Sequence, residues 1–250
     1  MVASLLAVET LWRRELIRFW RQKSRVLGVV ASPLIFWAVI GFGSGPSGPY
    51  FFFPGTVVLT VMFSAIFSTM SIIEDRREGF LLSMLVSPAS RTSLVLGKIM
   101  GAATLAWIQG LVVLAFAPLA GIWMPLEKLA PLAGIVFLIS FTLTALGFLI
   151  AWKFDSTQGY HAVMNLLLLP MWLLSGAVFS VAKASSVIRA IMLVNPLTYS
   201  TALLRQILAS CPGDGSPQVG ASLAVTVAFG IALLGASAAL ANQKTSSISA

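Results

Sequence analysis

The sequence predicts an all-α integral membrane protein, with one domain of six transmembrane helices behind an N-terminal interfacial amphipathic helix. Three observations predict it. The 250 residues are 58% apolar and only 10% charged, with mean hydropathy +0.95, whereas soluble domains are about 25% charged. The apolar residues gather in six runs close to the roughly 20 that a helix needs to cross a bilayer. The cations, finally, are unevenly divided between the segments that join those runs.

The first segment, 1–25, contains LLAVETLWRRELIRFWRQKSR. Leu5, Val8, Trp12, Leu16 and Phe19 recur every three or four residues on one helical face, and Arg14, Arg18 and Arg21 take the opposite face. With Arg13 beside them, this is the pattern of a helix lying in the interface, aromatics at headgroup depth and arginines toward phosphate. The alternative is a basic flank that only sets topology. Six basic residues precede the first apolar run, so a cleavable leader is not expected.

The spans are expected at 26–42, 52–73, 94–121, 130–152, 160–182 and 219–241. The first is short and holds Pro33, so a tilt, a kink or an extension into its flanks is expected. Pro170 should bend the fifth. With both termini on one side, that side holds 12 of the Lys and Arg residues against 4 on the other, the latter being Lys128, Lys183, Arg189 and Arg205. Positive charge marks the cytoplasmic side. The net charge of +8 therefore reports topology and anionic lipid, not nucleic acid. The expected location is a prokaryotic plasma membrane, the inner one in a Gram-negative cell, with both termini cytoplasmic.

Between the second and third runs stands IIEDRREGFLLSMLVSPASRTSLVLGK, where Glu74, Asp75, Arg76, Arg77 and Glu78 form an unbroken charge cluster. After Gly79 comes an apolar stretch with Phe80, Leu81, Leu82 and Leu85, too short to span, which Ser87-Pro88 breaks. A solvated turn would need no such stretch. A short helix across the cytoplasmic face, held at its base by charges, would give a rigid surface for another protein. Arg91 and Lys98 should lie near the cytoplasmic headgroups.

From 183 to 217 the chain is outside by the charge count yet largely apolar, and Asn195-Pro196 divides it into two half-length helices. Such backbone is tolerated at membrane depth only where protein or water buries it. Arg205 is expected near the outer headgroups, meeting an anionic group or snorkelling to the interface.

Other residues carry less. Gly97-Lys98 lacks the upstream Gly and the following Ser/Thr of a phosphate-binding loop. His161 and Cys211 are each the single residue of their kind, and no metal-ligating cluster or catalytic constellation is legible. Gln109 and Asn165 inside spans read as glue between helices, and Lys153 and Asp155 as topological charges. No carboxylate sits in the middle of a span, which argues against proton coupling.

The series EDRREGFLLSMLVSPASRTSLVLGK resembles the signature of ABC-2 type transporter permeases, the membrane subunits of ABC exporters. NPLTYSTALLRQIL (Asn195, Pro196, Leu197, Thr198 and Tyr199, then Arg205) and LLSGAVF at the end of the fifth run are similar to that family in order and spacing. The resemblance implies that the loop from Glu74 to Arg91 holds a coupling helix. That helix would dock on a separate ATP-binding subunit, with Glu74–Glu78 bracing its base and Gly79 allowing a tight turn. It implies a re-entrant outer hairpin over 183–217 and a last span over 218–242. It also implies two copies of the ATPase, a second permease copy, and ATP with Mg on the partner rather than a cofactor on this chain. The cargo would be hydrophobic or lipid-linked and move outward. A secondary transporter or a membrane scaffold without an ATPase is the alternative.

Overall fold

A computed structural model describes residues 2–86, 90–208 and 215–243. Helix α1 (Val2–Trp20) precedes α2 (Lys23–Gly43), which runs unbroken through Pro33. Helices α3 (Gly48–Thr69) and α4 (Ser71–Arg77) follow as one nearly continuous rod, then the short α5 (Phe80–Leu85) and the long α6 (Arg91–Leu114). The second half holds α7 (Leu126–Ala151), α8 (Thr157–Trp172), the hairpin α9 (Ser186–Val194) with α10 (Pro196–Ile207), and α11 (Val219–Gln243). Six helical stretches are long and apolar enough to cross a membrane, as the apolar runs predict, and α9 and α10 meet at 88° in a re-entrant arrangement.

Helix α3 is the axis of the bundle and touches α2, α6, α7, α8 and α10. Its Val57, Val58, Val61, Met62, Ala65 and Ile66 are buried, because neighbours cover it on every side. A helix apolar all round is stable only in such a place or against lipid. The peripheral α2 and α11 keep most of their surface outward. Small residues let the rods close up. A Cβ on Gly48 would sit 2.1 Å from the Gly41 carbonyl, and Trp37 Nε1 donates to Pro49 O at 2.8 Å, so α2 and α3 form a tight hairpin.

The rod from Gly48 to Arg77 has 30 residues, about 45 Å at 1.5 Å per residue, against a hydrocarbon core of roughly 30 Å. Its α4 end therefore projects past the apolar slab. Arg25, where the first span begins, donates to Phe67 O at 2.8 Å.

Where the fifth span ends, the helix loosens. Leu173–Ala177 form a wide π-type turn just after Pro170, with Gly176 at φ +82°, a conformation that glycine adopts without cost. The hairpin is fastened to this turn. Asn195 caps α10, its Oδ1 accepting from Leu197 N at 3.0 Å with Pro196 in the first turn, and its Nδ2 donates to Met171 O and Leu174 O. Thr198 Oγ1 donates to Met192 O at 2.6 Å, and Tyr199 to Leu193 O at 2.8 Å. Leu197 is buried beneath them. Arg205 corrects the expectation of an interfacial arginine. It is 2% exposed, donates to Gly176 O at 2.7 Å and lies 4.5 Å from the Phe51 ring centroid. The turn's open carbonyls give its donors partners that lipid would not.

Candidate functional site: a charged crosspiece at the basic end

The five consecutive charges face two ways. Helix α4 ends at Glu78, and Gly79 at φ +74° turns the chain into α5. Within α4, Glu74 and Asp75 point to α1 while Arg76 and Arg77 point to the α7–α8 turn. Asp75 is fully buried and accepts from both nitrogens of Arg14 (2.8 and 3.1 Å), from Arg18 (2.8 Å) and from Lys98. Lys98 is 5% exposed and also donates to the buried Glu15 at 2.5 Å. Arg18 reaches Glu74 at 2.8 Å and Glu78 at 3.6 Å. Burial works against the charged Arg14, but the hydrogen bond and the charge of Asp75 outweigh it and raise its pKa above the ordinary arginine value.

These contacts correct three expectations. Lys98 is not at the headgroups; it is locked inside the protein. Arg14 and Arg18 turn to carboxylates rather than phosphate, whereas Arg13 and Arg21 are exposed. Asp155 is more than a topological charge, since it accepts from Arg76 at 2.9 Å. Arg76 also donates to Phe154 O and Trp152 O, and Arg77 to Asp155 O. Arg91 donates to Asn242 O at the end of the last span.

Helix α1 can supply its arginines because it lies close along α6. A Cβ on Gly97 would come within 3.1 Å of Val8, and one on Gly101 within 2.8 Å of Glu15 Cβ. Trp12 Nε1 donates to Thr104 Oγ1 at 3.0 Å, and Phe19 is buried. The apolar stripe of α1 is thus partly protein contact, with Leu5 left outward. Glycines four apart at Gly97 and Gly101 are the small-residue spacing of close helix pairs. That signal was present in the sequence and would have pointed to Glu15 and Lys98, neither of which composition singles out as a site residue.

Helix α5 is seated on this frame. Met84 is buried with Leu11 and Leu94, and Phe80 and Leu81 pack beside them. The Arg14 guanidinium lies 3.8 Å from the Phe80 ring centroid. Leu82 and Val86 face away, 63% and 80% exposed. Of the apolar residues expected in the coupling helix, Phe80 and Leu81 therefore serve as the inner face and Leu82 as the outer one. Ser87 and Pro88, and the side chain of Leu85, lie outside the described residues.

The short helix α5 is thus rooted beside buried ion pairs, with Leu82 and Val86 facing outward. The family model for ABC-2 type transporters matches residues 7–209. The chain belongs to the ABC-2 type transporter family. Among its relatives, Nodulation protein J of Sinorhizobium fredii is 27% identical over 82% of this chain and 82% of its own length. Nodulation protein J of Neorhizobium galegae is 28% identical over 84% of each. The protein named "Probable multidrug ABC transporter permease YbhR" in Escherichia coli is 28% identical over 60% of this chain and 41% of its own. This ABC-2 chain is accordingly an ABC transporter permease, a multi-pass membrane protein and a transport subunit.

Proposed function

We propose that this permease couples ATP hydrolysis on a separate subunit to outward movement of a hydrophobic or lipid-linked substrate. In this reading α5 is the coupling helix, the basic end is cytoplasmic in a prokaryotic plasma membrane, and two permease copies work with two ATPase copies. ATP and Mg belong to the partner. The observation that carries the reading is the split of α5 into a rooted inner face and an exposed apolar outer face. Force applied to Leu82 or Val86 enters a helix whose base is tied to α1 and α6, and through Arg76 to the α7–α8 turn. One motion of the ATPase would then reach α1 and the second, third, fourth and fifth spans together. The exposed arginines Arg13 on α1 and Arg21 just after it suit anionic lipid on that same side.

Co-purification with the ATPase tests this. Leu82→Arg with Val86→Arg should abolish a stoichiometric complex while leaving the permease inserted and folded, since neither side chain is internal. Full retention of the ATPase by that double variant would contradict the docking assignment.

A further inference from the structure

Beside the ion cluster, on the flank of α1 facing α2 and α6, lies a groove of about 460 Å³ whose lining includes Leu16, Trp20, Arg21, Ile108 and Gln109. Its walls are apolar apart from Arg21 at the rim and Gln109. Gln109 is 4% exposed, and neither its Nε2 nor its Oε1 has a hydrogen-bond partner among the described residues. An orphaned buried amide is destabilising, and a buried donor is rarely left so.

The depth of the groove says what would satisfy it. Trp20 and Arg21 immediately precede the first span, where amphipathic rings and cations sit at headgroup level. Leu105, also in the lining, is one helical turn before Gln109 on α6. A phosphate at Arg21, an ester carbonyl at the Gln109 amide and a hydrocarbon chain along the apolar walls are the groups that a phospholipid would bring. Arg21 pairs with no acidic group among the described residues, so its charge is open to phosphate.

We propose that the groove between α1, α2 and α6 is a binding site for one anionic phospholipid of the leaflet at the basic end. Arg21 holds the phosphate, Gln109 donates to an ester carbonyl, and an acyl chain lies along Leu16 and Ile108. A lipid there wedges α1 against α6 beside the Glu15–Lys98 pair and so makes the crosspiece responsive to lipid composition. The assignment goes beyond the coupling reading and does not need an ATPase.

Native mass spectrometry of the full chain, titrated with dioleoyl phosphatidylglycerol and with dioleoyl phosphatidylcholine, tests it. One phosphatidylglycerol should bind per chain ahead of non-specific lipids. Gln109→Leu should weaken it about tenfold, the equivalent of one hydrogen bond of ~1.4 kcal/mol. Arg21→Glu should remove the preference over phosphatidylcholine. Gln109→Leu conserves volume and removes an orphan amide, so its melting temperature without lipid should equal or exceed wild type, which separates lost binding from lost folding. Equal lipid affinity in wild type and Gln109→Leu would overturn the proposal. So would an Ile108→Cys disulfide dimer forming in native membranes, because a second copy would then occupy the groove.

Discussion

Arg14 and Asp75 are 61 residues apart in the chain and share a two-pronged hydrogen bond of 2.8 and 3.1 Å. That pair fastens a helix outside the spans to the base of the loop that follows the second span. Because Asp75 is fully buried, its charge is tolerable only while Arg14, Arg18 and Lys98 surround it.

Removing the acid should therefore cost far more than removing its exposed neighbour. Asp75→Ala leaves Lys98 and two arginines facing one another, and breaking a buried pair this way costs about 3–5 kcal/mol. Glu74→Ala touches a partly exposed pair, worth at most ~1 kcal/mol. Thermal unfolding in detergent should show a large drop for the first variant and a small one for the second.

Arg76 and Arg77, though adjacent, should not be equivalent. Arg76 holds Trp152 O, Phe154 O and Asp155, whereas the exposed Arg77 makes one bond to Asp155 O. Arg76→Glu should uncouple transport from ATP hydrolysis in a reconstituted system, lowering transported substrate per ATP several-fold. Arg77→Ala should leave that ratio near wild type. The ratio itself is the readout.

Gly79 is required for its backbone and not for space, since nothing lies within 4 Å of where a Cβ would be. At φ +74° an ordinary side chain costs about 1–2 kcal/mol, with Asn the mildest. Gly79→Val should reduce ATPase recruitment, and Gly79→Asn should retain most of it. Equal loss in both would mean that the position matters for another reason.

Close approach of α1 to α6 rests on Gly97 and Gly101. Gly101→Leu places atoms where Glu15 now lies and should release α1, separating Glu15 from Lys98. Limited proteolysis should then cut within 1–22 faster than in wild type, while the spans stay protected.

Much of this architecture was legible in one dimension. Apolar runs marked the six spans, because crossing a bilayer leaves few alternatives, although the third span ends at Leu114 rather than 121. Asn195-Pro196 marked the hairpin's break, since a cap and a first-turn proline are local signals. What hydropathy could not supply was which helix stands opposite which. Lys98 reads as a headgroup cation until α1 is seen to bring Glu15 beside it, 83 residues away. Arg205 reads as an interfacial cation until the π-type turn at Leu173–Ala177 is seen to offer it a carbonyl. Gly97-Lys98 looked like a failed phosphate loop, while its real content was the glycine spacing that seats α1. Pairings across the fold depend on three-dimensional neighbours, and a periodicity records only which face is polar.

The docking of α5 is tested most directly by a photo-crosslinking residue placed at Leu82, in cells expressing the permease together with its ATPase. The account predicts a covalent permease–ATPase adduct from position 82, and none from Val194 at the opposite end of the bundle. A complex that co-purifies intact yet yields no adduct from position 82, or yields one from Val194, would contradict it.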